Sequence, residues 1–143
     1  MQSWPLGTTI GIWLIYGERI ARTTGIGLLE RLLDLAEKKK YKVFLFGSAP
    51  DVIDQAARKI VRAHPALHLG GIQHGYLQQN KYEELIEKIN ELNTDLLFVG
   101  LGSPRQEKWI QKYKNVLRVK MCLAIGGSLD VVAGRNPRAP VFY

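Results

Sequence analysis

The spacing of apolar positions changes several times along the chain, and each change marks an element. Leu28, Leu29, Leu32, Leu33 and Ala36 recur at helical spacing, so the pattern predicts an amphipathic helix over 27–39. Tyr41 to Phe46 (YKVFLF) is a short apolar run rich in β-formers that stops at Gly47, as a strand covered on both faces would. Ser48 is then placed as an N-cap, with Pro50 and Asp51 in the first turn of a helix. Val52, Ile53, Ala56, Ala57, Ile60 and Val61 continue that helix. Ala66 to Ile72 is a weaker strand, and Tyr82, Leu85, Ile86, Ile89 and Leu92 mark the next helix. Asp95 to Leu101 (DLLFVGL) is the strongest buried strand. Ser103 to Tyr113 reads as a helix with Trp109, Ile110 and Tyr113 on one face. Val119 to Ile125 is a further buried strand, entering Gly126-Gly127-Ser128 and a short helical stretch. Thr9 to Tyr16 fits either type: it is rich in Ile and Trp but broken by Gly11, and we read it as helix.

Apolar strands alternating with amphipathic helices predict an α/β fold: a Rossmann-like open, mostly parallel sheet with helices on both faces. The crossovers should be right-handed, and the 143 residues fit one domain.

Composition narrows the class further. Hydrophobic residues make up 46% and charged residues 23%, close to the globular norm. No segment approaches the roughly 18 uninterrupted apolar residues of a membrane span, and the first residues lack the basic region of a secretory signal. The single cysteine, Cys122, precludes an intrachain disulfide and suits a reducing cytoplasm. It falls within a strand, as inert core would. Net charge is +7, from 20 Lys and Arg against 13 Asp and Glu, so the chain should seek anions. The one basic run, Lys38-Lys39-Lys40, sits where a helix should end and complements its dipole. No aromatic residues interleave a basic stripe, which speaks against a nucleic-acid partner.

Three glycine-bearing turns follow strands: Gly47-Ser48, Gly100-Leu101-Gly102-Ser103 and Gly126-Gly127-Ser128. Open α/β sheets bind ligands outside the carboxyl ends of their strands. Backbone amides at such turns suit a pyrophosphate. None of the turns is GxGxxG or a Walker loop, which disfavours a standard dinucleotide or ATP site. A nucleotide-binding oxidoreductase module is the competing class, weakened further by the lack of an acidic residue ending the second strand. In Gly100 to Ile110 (GLGSPRQEKWI), Ser103 as N-cap, Pro104 at the first helical position and Gln106 three residues on would form a capping box. The same segment sets an Arg, a Gln and a Glu beside a glycine-rich turn, which is also how a sugar nucleotide would be held.

GLGSPRQEKWI resembles the signature of the WecG/TagA/CpsF glycosyltransferases. Phe46-Gly47-Ser48, His74-Gly75-Tyr76, and AIGGSLDVVAG (Ala124 to Gly134) followed by Arg138-Ala139-Pro140 recur in the family's order and at similar spacing. RTTGIGL (Arg22 to Leu28) resembles a variant of the family's Arg-Val-Thr-Gly-x-Asp-Leu segment. The likeness spans roughly residues 19–142. It implies transfer of N-acetylmannosamine, or a related sugar, from a UDP-sugar to a polyprenyl-diphosphate-linked N-acetylglucosamine, for teichoic acid, common antigen or capsule synthesis. It implies no cofactor and no bound metal, and a cytoplasmic protein peripheral to the inner face of the membrane. A homo-oligomer is compatible with the sequence.

By the same resemblance, Arg22, Gln106 and Asp130 match substrate-pocket residues; Gly47, Ser48, Gly102, Ser103, Gly126 and Gly127 belong to the turns whose amides are aimed at one rim. An Arg can fork onto phosphate oxygens, a Gln can donate and accept at once, and a carboxylate can take two hydroxyl hydrogen bonds. Plainer readings stand beside these: an N-cap or first-turn residue of a short helix for Asp130, a surface ion pair with Glu18 for Arg22, and a hydrogen-bonded loop residue for His74.

Some features depart from the family. Its Asp-Gly-x-Gly segment, whose Asp is the proposed general base, matches Pro5-Leu6-Gly7-Thr8 here, with Leu6 in place of the Asp. Its Gly-x-Asp-Leu becomes Gly25-Ile26-Gly27-Leu28. A Thr-Pro-Asn segment and an Arg-rich tail of the family have no counterpart in the sequence. A base contributes about 10²- to 10⁴-fold in rate, so the expectation is a retained nucleotide rim with weak or absent transfer, in a fragment or a decayed paralogue. A non-catalytic UDP-sugar-binding remnant is the alternative.

Overall fold

The structure, a computed structural model, describes residues 12–13 and 26–134. Elements run in the order β1 (Ile12–Trp13), α1 (Ile26–Lys39), β2 (Lys42–Gly47), α2 (Pro50–Ala63), β3 (His68–Gln73), α3 (Tyr82–Glu91), β4 (Leu96–Gly100), α4 (Arg105–Tyr113), β5 (Met121–Ala124) and α5 (Ser128–Ala133), with a 3₁₀ turn at Gln79–Lys81. The apolar runs read as buried strands are buried. Val43, Phe44, Leu45 and Phe46 of β2 and Leu97, Phe98 and Val99 of β4 are fully enclosed. A strand flanked by parallel neighbours and covered by helices leaves no polar face, which is why these runs do not alternate.

The sheet order is β1-β5-β4-β2-β3. β2, β3, β4 and β5 are parallel, whereas Ile12 and Trp13 pair antiparallel with Leu123 and Cys122 of β5. The mostly parallel α/β architecture read from the sequence is therefore the observed one. The expected helix over 9–16 is not: Ile12 and Trp13 are strand, and pairing with a distant strand decides a run that local periodicity leaves ambiguous.

The chain steps outward from β2 to β3, then back across β2 to β4 and on to β5. Right-handed crossovers then put α2 on one face and α3 and α4 on the other. α5 and α1 join the α2 side, since α5 packs on both. Phe46, Tyr82, Trp109 and Tyr113 knit α3 and α4 to the opposite face through ring contacts of 4.9–6.3 Å. The direction of winding reverses between β2 and β4. A crevice at the carboxyl ends of these two strands is where such sheets take ligands.

Several local expectations shift. The 66–72 strand begins at His68, and Val61 of α2 faces solvent at 44% exposure. Ser48 is not the N-cap of α2. That position falls to Ala49, with Pro50 first in the helix and no side-chain cap. Ser103 is not the cap of α4 either: Pro104 holds the position and the helix starts at Arg105. In both turns the serine hydroxyl bonds another side chain instead. Lys38 and Lys39 do close the last turn of α1. Cys122 lies fully buried in β5, and burial pushes its thiol pKa far up. No helix among the described residues is long and apolar enough to cross a membrane.

Candidate functional site

The three glycine-bearing turns converge at the switch point. Gly47 and Gly100 are paired residues at the ends of β2 and β4. A Cβ on Gly47 would lie 2.5 Å from the Gly100 carbonyl carbon, so only glycine permits this approach. A Cβ on Gly100 would in turn meet the Gly126 carbonyl oxygen at 3.1 Å. Backbone bonds lock the arrangement: the Ser48 amide donates to the Gly100 carbonyl at 3.1 Å, and the Gly75 amide to the Ser48 carbonyl at 2.8 Å.

Side chains tie the turns together. Ser48, at φ 67, donates its hydroxyl to Asp130 Oδ1 at 2.6 Å. This joins the end of β2 to the first turn of α5 across 82 positions of sequence. Asp130 and Ser48 are both half-buried, so neither is sealed from solvent. Gln106 is buried. Its Oε1 accepts from the Gly102 amide at 3.2 Å and the Gly126 amide at 3.0 Å. Its Nε2 donates to Glu107 Oε2 and Ser103 Oγ at 3.3 and 3.4 Å. The Gly102 and Gly126 amides therefore face Gln106 rather than open space. Gly127 is exposed beside them.

Glu107 Oε2 accepts the Ser103 hydroxyl at 2.8 Å. Its Oε1 is enclosed without a hydrogen-bond partner among the described residues. His74 is a hydrogen-bonded loop residue, its Nδ1 accepting from the Tyr76 amide at 3.1 Å. It holds a turn from which Tyr76 projects, 69% exposed.

Of the site residues named from sequence, the structure brings Gly47, Ser48, Gly102, Ser103, Gly126, Gly127, Gln106 and Asp130 to one end of the sheet. Leu6, Arg22 and the Arg138-Ala139-Pro140 segment lie outside the described residues. The structural part of Arg105 is new: its guanidinium donates to the Gly75 carbonyl at 2.6 Å and the Tyr82 hydroxyl at 2.9 Å. The sequence sets an Arg beside the turn, yet no spacing rule announces partners on a loop 30 residues earlier.

Comparison with known proteins bears on this end of the sheet. Residues 6–143 match the family described as the glycosyl transferase WecG/TagA/CpsF family. The chain is 36% identical over 123 residues to an N-acetylglucosaminyldiphosphoundecaprenol N-acetyl-beta-D-mannosaminyltransferase of Bacillus spizizenii, covering 86% of this chain and 47% of that protein. It is 36% identical over 120 residues to the Bacillus subtilis protein of the same name, covering 84% and 46%. The Staphylococcus aureus protein of that name is 33% identical over 122 residues, covering 85% and 47%. The chain spans about half the length of these relatives.

Proposed function

The chain belongs to the WecG/TagA/CpsF glycosyl transferase family, and from that premise we propose that its strand-end crevice holds the diphosphate and sugar of a UDP-sugar. In this reading the sugar is N-acetylmannosamine or a close relative, and the acceptor is an N-acetylglucosamine linked through a diphosphate to a polyprenyl lipid. The observation that carries it is the meeting of the Gly47, Gly102 and Gly126 turns at the switch between β2 and β4, fastened by Ser48–Asp130 and by Gln106.

Each residue takes a part that its surroundings allow. Asp130, half-buried with one oxygen engaged by Ser48, has a second oxygen for a sugar or ribose hydroxyl. Gln106 acts by holding: with its carbonyl taken by two amides, it fixes the width of the crevice rather than reaching into it. Arg22 supplies a guanidinium to the phosphates. A lipid-linked acceptor places the reaction at the cytoplasmic surface of a membrane.

Transfer by inversion needs a base on the acceptor hydroxyl. Leu6 stands where the family resemblance expects the Asp that serves as base, and leucine cannot take a proton. The reading is thus a chain that binds the donor and transfers slowly. Turnover of UDP-N-acetylmannosamine with a lipid-linked N-acetylglucosamine tests it. Leu6→Asp should raise the rate by about 10²-fold or more, while Asp130→Ala should weaken UDP affinity. A UDP affinity indifferent to Asp130→Ala and Ser48→Ala would refute the crevice. Absence of transfer in both the parent chain and Leu6→Asp, with UDP still bound, would favour a non-catalytic binding remnant.

A further inference from the structure

A second concave feature lies beside the crevice and is built from different surfaces. An open cavity of about 340 Å³ runs between the start of α3 and the outer face of α4, within the range of small-molecule sites. Its floor is aromatic. Tyr82, Trp109 and Tyr113 meet there with centroids 6.2, 6.0 and 5.3 Å apart. Its rim is cationic: Arg105, Lys108 and Lys112 follow one helical face of α4, and no carboxylate lines the cavity. None of the three pairs with a carboxylate among the described residues. Glu107, the acid of the same helix, is engaged by the Ser103 hydroxyl instead.

Lysines often lie over aromatic rings simply to cover apolar surface, and Lys112 does sit 5.3 Å from the Tyr113 ring centre. Concavity and a single sign of charge set this groove apart from such a face. Three unneutralised cations around a depression raise the local concentration of anions. Tyr113, half-buried above the buried Tyr82 and Trp109, offers ring surface as a platform for a flat or saccharide ring.

We propose that this groove is a second ligand site, separate from the strand-end crevice, for a ring compound bearing a phosphate or diphosphate. The ring lies against Tyr113, which Trp109 backs from the core, and Lys108 and Lys112 meet the phosphate. Arg105 is already fixed by the Gly75 carbonyl and Tyr82 hydroxyl. Its remaining N–H groups are therefore presented without further ordering. The same residue joins the groove to the loop after β3, so the two sites share a wall.

Isothermal titration calorimetry on the 143-residue chain tests this, with N-acetylglucosamine 1-phosphate, UMP and inorganic phosphate as probes. One ring phosphate should bind at least about tenfold more tightly than inorganic phosphate, as an aromatic platform provides. Which of the two does so separates a sugar phosphate from a nucleoside phosphate. That binding should weaken with salt, be lost in Lys108→Ala/Lys112→Ala, and persist in Asp130→Ala, which alters the crevice alone. Both lysines are exposed, so a circular dichroism spectrum matching the parent chain verifies the fold of the variant. The proposal is overturned by no binding, by equal binding of inorganic phosphate, or by indifference to the double substitution. Loss of that binding in Asp130→Ala also overturns it, by making the groove part of the crevice. Loss of UDP binding in Ser48→Ala or Asp130→Ala would bear on the crevice alone.

Discussion

At Gly47 the backbone takes φ 145, and its α-carbon lies against the Gly100 peptide. Gly47→Ala forces both a strained conformation and a contact that no side-chain rotation relieves. The strain alone costs about 1–3 kcal/mol, so urea unfolding should show at least that loss. Gln106 makes a different kind of demand. Gln106→Leu leaves the Gly102 and Gly126 amides without their acceptor, at about 1–3 kcal/mol for each buried group left unpaired. Gln106→Glu keeps an acceptor oxygen but buries a carboxylate against Glu107 Oε2, which Gln106 Nε2 meets at 3.3 Å, so it should not restore the parent stability at neutral pH, as the same unfolding curves report. An unchanged midpoint in Gln106→Leu would mean that the amides find water instead. These roles show where the sequence was legible and where it was not. Ser48 and Gln106 could be singled out beside glycine turns, but their partners lie at Asp130 and Gly126, and no local pattern encodes a contact made across the sheet. The capping reading of Ser103 was chemically reasonable and locally complete. It failed because Glu107 offered its hydroxyl a carboxylate.

Between elements, a cluster away from the switch point fastens α1 to the end of α2. The Ala66 amide donates to Glu37 Oε2 at 2.9 Å, and His64 Nδ1 lies 3.1 Å from Glu37 Oε1. The Ala66 amide, with a further contribution from His64, holds the Glu37 carboxyl below its ordinary value of 4.5. A carboxylate with a depressed folded pKa adds stability above its unfolded pKa and surrenders it as pH falls through the folded value. Glu37→Gln should therefore melt lower than the parent chain at pH 6, with the gap closing as pH drops below about 4.5. Melting curves between pH 6 and pH 3 check this, and parallel curves would show that Glu37 contributes nothing through its charge. Elements of this kind were well marked in sequence wherever burial was complete: YKVFLF and DLLFVGL need no partner to declare themselves. Ile12 and Trp13 did need one, because only β5 makes them a strand.

For the molecule as a whole, the described apolar residues form one cluster spanning both faces of the sheet, from Leu29 and Ile53 to Tyr82 and Trp109. Small chains with a single core unfold cooperatively. Urea curves followed by far-ultraviolet circular dichroism and by Trp fluorescence should superimpose, and separated midpoints would reveal a second, independent unit. One property of the sheet reaches beyond binding. β3 forms a margin with no outer strand partner among the described residues, and its register against β2 slips between Val43 and Phe44. Side chains from β2 cross over Gly70 and Gly71, where a Cβ would strike Lys42 and Phe44 at 2.8 and 2.7 Å. A bare polypeptide hem is the seam along which separate copies knit into fibres, and an irregular hem knits poorly. A variant that evens this border should cloud sooner on heating than the parent chain, as light scattering would record, if the slipped register keeps neighbouring molecules apart.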